Sequence, residues 1–374
     1  MKYYVIAGEA SGDLHGSNLV KQLKLQDRDA SIRCWGGDLM QKEGAILAKH
    51  YRDTAFMGFV EVIKNLRTIQ GLFSFCHKDI LDFQPDVIVL IDYPGFNLRI
   101  AKWAREHHFR VFYYISPQLW AWHSSRVKQV KQFVERMFVI LPFEKAFYQK
   151  YAYEVDYVGH PLLDVTSTFS PSSNFRQHNQ LDERPIIALL PGSRRQEIKS
   201  VLPNMVAMIA RFPSYQFVIA GAPSQIPDFY AAVLQGQAVK VVYGQTYDLL
   251  GHADAALVTS GTATLETALF KVPQVVCYKG SNISYQIAKR VIKVRYISLV
   301  NLIADKLIVK ELIQTEYTTT NVEQALAALL VEENRQRMRR DYEDLIALLG
   351  NSGASQRTAK LMIDYLSKPN SKSA

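Results

Sequence analysis

Short runs made almost wholly of apolar residues recur along the 374-residue chain, each closed by a small-residue turn and followed by a helical pattern. In the first half they are Tyr3–Ala7, Asp86–Ile91, Val111–Ile115 and Met137–Leu141. In the second half they are Ile186–Leu190, Gln216–Ala220, Val239–Tyr243, Ala255–Thr259 and Gln274–Tyr278. A strand with one wet face alternates apolar and polar residues, whereas a strand covered on both faces is apolar throughout. The rhythm therefore predicts an α/β protein with doubly wound parallel sheets. Thr166–Gln180, TSTFSPSSNFRQHNQ, breaks the rhythm and reads as a connection. The expected organisation is a first domain over 1–165, a linker over 166–180, a second domain over 181–345 and a C-terminal helical segment and tail over 346–374. That last segment either packs on the first domain or is exchanged in a dimer. Asn321 and Gln324 predict a capped start to a helix over Val322–Glu333, and Asn334–Leu366 reads as further helix. Two such domains facing each other leave a cleft at the carboxyl ends of their strands, where open α/β sheets bind ligands.

Charge and cysteines narrow the partners. Lys plus Arg number 44 against 35 Asp plus Glu, a net +9 that favours an anionic partner. Cys34, Cys76 and Cys277 are far apart and show no CxxC pairing, so neither a disulfide framework nor a zinc site is supported and a reducing cytoplasm is expected. No apolar run approaches the ~18 residues of a membrane span, and the N-terminus lacks the basic-then-apolar layout of a secretory signal. Any membrane contact is expected at the surface.

Five turns after strands carry candidate chemistry. Ala7–Ser17, AGEASGDLHGS, has glycines at 8, 12 and 16 that let backbone N–H groups approach an anionic or sugar ligand, or it is a plain tight turn; Glu9, Asp13 and His15 cluster beside them. Asp92, in Asp92–Asn97, either faces the cleft as a general base or caps the next helix. Trp120 and Trp122, followed by Arg126, Lys128 and Lys131, either meet sugar and acyl chains or belong to a core. Gly192-Ser193-Arg194-Arg195 at a helix start suits a diphosphate, or it is a solvated charge pair. Ser260-Gly261-Thr262 opens another helix, and Glu266 on it can accept the hydroxyls of a ribose. His107-His108 reads as surface. Phosphate-type turns and a carboxylate in the second half, with a base in the first, describe nucleotide-sugar donor chemistry with arginine and helix dipoles in place of a metal.

AGEASGDLHG (Ala7–Gly16), FMGFVEV (Phe56–Val62), IDYPGFN (Ile91–Asn97), ISPQLWAW (Ile115–Trp122), LPFEKAFY (Leu141–Tyr148), VGHPLLD (Val158–Asp164), LPGSRRQEI (Leu190–Ile198), SGTATLE (Ser260–Glu266) and KELIQ (Lys310–Gln314) resemble the lipid A disaccharide synthase family, in its order, up to about residue 345. The resemblance implies a GT-B, inverting, metal-independent glycosyltransferase without a cofactor. It implies transfer from UDP-2,3-diacylglucosamine to the 6-hydroxyl of 2,3-diacylglucosamine 1-phosphate, lipid X, giving the β(1→6) lipid A disaccharide 1-phosphate and UDP. It also implies the cytoplasmic face of the inner membrane and a homodimer with exchanged C-terminal segments, and it leaves no role for nucleic acid. The family's essential Asp and Arg fall on Asp92 and Arg194. Its substrate positions fall on Glu9, Ser11, Gly12, Asn97, Gly192, Ser193, Arg195, Ser260, Gly261, Thr262, Glu266, Asn301, Glu311 and Gln314. Two departures stand out: Val300 in Ser298–Asn301 where the family often has proline, and Gly95 where it commonly has a second Asp.

Asp92 is thus expected to deprotonate the acceptor hydroxyl, Arg194 to stabilise the departing diphosphate, and Glu266 to hold the ribose. Met57, Phe59 and Val60 beside Lys64 and Arg67 read as a lipid-contacting patch, with core packing the alternative for Val60. The competing function is another GT-B enzyme on UDP-GlcNAc-type sugars, a 2-epimerase or a lipid-linked transferase.

Overall fold

The computed structural model describes residues 1–53, 66–122, 124–280 and 294–368. The chain divides into two compact units, Met1–Asp164 with Asn351–Ala374, and Val165–Gly350. In the first, β1 (Lys2–Ala7), β2 (Ser31–Gly36), β3 (Ile46–His50), β4 (Val87–Ile91), β5 (Val111–Tyr114), β6 (Arg136–Val139) and β7 (Asp156–Tyr157) form one sheet in the order β3-β2-β1-β4-β5-β6-β7. In the second, β8 (Ile186–Leu190), β9 (Gln216–Gly221), β10 (Lys240–Tyr243), β11 (Ala253–Thr259), β12 (Gln274–Tyr278) and β13 (Lys310–Ile313) order as β10-β9-β8-β11-β12-β13. The pairings are parallel. VIVLI of β4 and IIALL of β8 are buried at every position, the two-faced burial that apolar strands require.

The strands that the apolar rhythm misses have identifiable reasons. Arg33 interrupts β2, but Asp79 of the helix Leu66–Phe83 takes its guanidinium in two hydrogen bonds of 2.8 and 2.6 Å. β3 is a half-exposed edge carrying Lys49, and β7 has only two residues. In β13 a buried Glu311 conceals the strand from any hydropathy pattern. Ile115 and Leu141, expected within strands, fall just beyond β5 and β6, Ile115 in the left-handed region at φ 64°.

One helix start needs correction. Thr318, extended, accepts the N–H of Asn321 at 3.2 Å, so the helix runs Thr319–Leu329 and a separate one spans Glu332–Leu349. Asn321 lies inside the first turn, with its amide on the carbonyl of Glu316 at 2.8 Å.

The stretch 165–180 packs on the second unit through aromatic contacts: Phe169 meets Tyr247 edge-on at 5.5 Å, and Phe175 stacks on His252 at 5.2 Å. Residues from Asn351 onward belong with the first unit, where the helix Ala354–Leu366 packs along Ala10–Gln26. Asp164 accepts the N–H groups of Gly353, Ala354 and Ser355 at 2.5, 3.0 and 2.9 Å, neutralising the open N-terminus of that helix. Arg357 returns to the carbonyl of Val158 at 2.9 Å.

Candidate active site

Each sheet runs its first three strands to one side and the next ones to the other, so strand order reverses between β1 and β4, and again between β8 and β11. The carboxyl ends beside such a reversal form the crevice in which open α/β sheets bind ligands. Four of the five turns singled out from the sequence follow these four strands; the Trp120 turn follows β5, next to β4.

In the first unit Ala7 pairs with Ile91, which sets the Glu9 and Asp92 turns side by side. Glu9 occupies the residue before the helix Ala10–Gln26, Ser11 is exposed on its first turn, and Gly12 is buried there. Asp92 does not cap the next helix. Tyr93 stands at that position, and both residues are left-handed, with φ of 43° and 50°. Such backbone costs about 1–3 kcal/mol per residue and persists only where its surroundings impose it. Gly8 leaves the necessary room, since a Cβ there would lie 2.4 Å from the Tyr93 ring. Burial pushes the Asp92 carboxyl up to about 7; the neighbouring Glu9 charge adds to this, and the Tyr93 N–H opposes it. A carboxylate poised near neutrality is suited to general-base work.

Neighbouring residues have structural duties. Asn97 is buried, and its amide nitrogen donates to the carbonyls of Ile91 at 3.2 Å and Asp92 at 2.7 Å, which organises the turn. Asp13 accepts the N–H groups of Gly37, Leu39 and Met40 at 2.7, 3.1 and 3.1 Å, and His15 is buried. Trp120 is partly buried; its indole N–H donates to Glu144 at 3.3 Å and its ring meets Phe143 edge-on at 4.9 Å. Glu144, pushed by burial up to about 7, also takes the N–H groups of Ile140 and Leu141, and no sequence signal separated it from a surface carboxylate. His107 is exposed.

In the second unit the helix Arg195–Val206 opens directly after the PGSR turn. Gly192 has φ 95°, and a Cβ on it would lie 2.9 Å from the Glu197 carboxylate, so glycine is required there. Ser193, Arg194 and Arg195 are exposed beside the positive end of that helix. Arg194 reaches Glu197 at 3.3 Å, and Arg195 donates to Gln225 at 3.0 Å. Gly261, at φ 153° with open space around it, precedes the helix Thr262–Leu269; Thr262 is exposed, and the Ser260 hydroxyl is bound to the Ile297 carbonyl at 2.9 Å. Glu266 is half-buried, and burial raises its carboxyl. The hydroxyl of Tyr247 donates to one of its oxygens at 2.8 Å, a partner on a different helix that the sequence did not reveal.

Asn301 and Glu311 are turned into the fold. Glu311 accepts from Ile297 N, Ser298 N, the Ser298 hydroxyl and Asn301 Nδ2 within 3.0 Å. Asn301 also accepts from Ile308 N and Val309 N at 2.8 and 3.0 Å, so Glu311 braces the chain before the helix Leu299–Ala304 and Asn301 the chain after it. Gln314 clamps Gly280 through both ends of its amide, at 3.2 and 3.3 Å. Among the described residues no group of three or more His, Cys, Asp or Glu could hold a metal ion, and no helix is long and apolar enough to cross a membrane. Met57, Phe59, Val60 and Lys64 lie outside the described residues; Arg67 is in the first turn of the helix Leu66–Phe83.

The sequence model of a family described as lipid-A-disaccharide synthetase matches residues 3–363. A lipid-A-disaccharide synthase of Trichlorobacter lovleyi is 37% identical over 370 residues, 97% of each chain. Among solved structures, the UDP-GlcNAc 2-epimerase of Neisseria meningitidis bound to UDP-GlcNAc superposes with a TM-score of 0.67 at 14% identity, covering 97% of this chain and all (100%) of that one. The calicheamicin glycosyltransferase CalG4 gives 0.60 at 16%, covering 98% of both. At such identities these likenesses carry the fold, which is GT-B.

Proposed function

Since the chain belongs to the lipid-A-disaccharide synthetase family and is a glycosyltransferase of lipid A biosynthesis, we propose the following division of labour between its two units. The acceptor is lipid X and the donor UDP-2,3-diacylglucosamine. Asp92 takes the proton from the acceptor's 6-hydroxyl, and that oxygen attacks the anomeric carbon opposite the diphosphate. The bond from that carbon to the diphosphate oxygen breaks, its electron pair leaves with UDP, and the single displacement inverts the centre. The observation that carries this is Asp92 itself: a carboxyl pushed up to about 7, held at the switch point of the first sheet.

The second unit takes the nucleotide. Arg194, Arg195 and the backbone at Gly192-Ser193 meet the diphosphate, whose charge grows as the bond breaks; Gly261-Thr262 supply the neighbouring helix start; and Glu266 accepts from the ribose. Asn97 braces the Asp92 turn, Glu311 and Asn301 brace the chain on either side of the helix Leu299–Ala304, and Gln314 holds Gly280. Arg194→Ala is expected to lower kcat about 10²-fold, the order seen when one preorganised donor to developing charge is lost. Fluorescence or calorimetric titration with UDP alongside steady-state rates checks it; a kcat unchanged at saturating donor removes Arg194 from the transition state.

Both substrates are lipids, so contact with the cytoplasmic face of the inner membrane belongs to the same proposal, as does a homodimer. Exchange of the segment from Asn351 onward would reuse between two copies the contacts it makes within one. One experiment tests function and location together: acylated donor and lipid X presented in anionic vesicles. Expected are UDP release strictly dependent on lipid X, a β(1→6)-linked disaccharide 1-phosphate, and sedimentation of the protein with the vesicles. Turnover of non-acylated UDP-GlcNAc without lipid X would instead mark an epimerase.

A further inference from the structure

Two successive non-glycine residues in the left-handed region, Asp92 and Tyr93, need something to keep them there. The hydrogen bonds around Asp92 converge on its backbone carbonyl. Tyr113, buried in β5, donates its hydroxyl to that oxygen at 2.6 Å, and the buried Asn97 donates to it at 2.7 Å from the helix that follows. The Asp92 N–H is fixed as well, on the Tyr114 carbonyl at 3.2 Å. Two side chains from two elements thus saturate one carbonyl, and Gly8 clears the space that Tyr93 fills on the other side. Burial raises the Tyr113 phenol well above its ordinary value, so it remains the protonated donor throughout the working range.

We propose that Tyr113 is a positioning residue for the catalytic base: with Asn97 and the gap at Gly8 it locks Asp92 in the left-handed turn that sets its carboxylate at the end of β4. This rests on the reading of Asp92 as the base. A tyrosine serving only to fill the core would be replaced by phenylalanine without kinetic consequence, because ring and volume remain. A positioning tyrosine loses its single donor atom and the base drifts, which slows the chemical step and leaves binding alone.

Tyr113→Phe is therefore expected to lower kcat roughly 10- to 100-fold, the scale of a misplacement of about 1 Å. KM for both lipids, UDP affinity and the melting temperature should stay near those of the parent. Gly8→Ala attacks the same turn from the other side without removing a donor, and should show the same split between kcat and KM. Asp92→Asn serves as reference. If it is inactive while Tyr113→Phe and Gly8→Ala keep the parental kcat, the positioning role is overturned and the base stands. If Asp92→Asn keeps turnover, the base itself is misassigned. A Tyr113→Phe protein that loses UDP affinity and melting temperature along with kcat assigns the tyrosine to stability, which also overturns the inference.

Discussion

Asp92→Asn is expected to lower turnover by about 10²–10⁴, the contribution typical of a positioned general base, with donor and acceptor KM little changed. The substitution preserves shape, keeps a side-chain oxygen to accept the Tyr93 N–H, and leaves the bonds to the Asp92 backbone carbonyl in place, so folding should survive. The parental pH profile carries the sign. The base acts deprotonated and its carboxyl is raised to about 7, so kcat/KM should climb as pH rises through about 7 and level above it. Glu9→Gln removes the negative charge that helps raise Asp92, and should move the acid limb to lower pH. Burial is the larger cause, so the limb should remain well above the usual carboxylate range. Rate profiles between pH 5 and 9 for parent and Glu9→Gln decide the matter. An Asp92→Asn enzyme at parental speed rejects the base, and coincident acid limbs reject the coupling to Glu9.

Much of this site was legible because parallel sheets write their strands as apolar runs and place chemistry just after them. β1, β4, β8 and β11 could be read directly, and their following turns proved to lie at the two strand-order reversals. What escaped were partners distant in sequence. Arg33 hides β2 from an apolar rhythm and is satisfied by Asp79, as Glu311 hides β13 and is satisfied by Ser298 and Asn301. Asn97, Asn301 and Glu311 stand out in the sequence as motif residues, but only the folded chain shows their partners: the Asn97 amide nitrogen on the Asp92 carbonyl, and Asn301 and Glu311 on each other and on nearby backbone. Tyr113 and Tyr247 gave no sequence signal at all, since one tyrosine in an apolar strand or short helix resembles any other. Asp13 and His15 illustrate the reverse: adjacency to a glycine-rich turn suggested ligand chemistry, whereas Asp13 caps a neighbouring turn and His15 is buried.

The buried ionisable groups of the first unit make a second large effect calculable. His15 and His160 are buried and uncharged, with burial pushing them down to about 4 and about 3; the Asp164 charge opposes this at His15, and His15 adds to it at His160. Unfolded, both titrate near 6.5. As pH falls from 7 to 5 the unfolded chain therefore takes up protons that the folded one refuses, and the pair lowers stability by about 4 kcal/mol. Asp92 and Glu144 act in the opposite sense. Their folded carboxyls, raised to about 7, take up protons over the same interval while unfolded carboxyls do not, which adds stability of about 4 kcal/mol. The two contributions oppose each other over this interval, the histidines lowering and the carboxyls raising stability as pH falls. Replacing both carboxyls, Asp92→Asn with Glu144→Gln, removes this stabilising half and leaves the other titrating groups, the two histidines among them, as in the parent. Relative to the parent, that double variant should lose about 4 kcal/mol more on acidification from pH 7 to 5, a large part of a typical folding free energy. Urea unfolding of the two proteins at pH 7, 6 and 5 reads the difference. Parallel pH dependences would show that the two carboxyls do not carry raised pKa values in the folded state, and would undercut both the stability account and the near-neutral base.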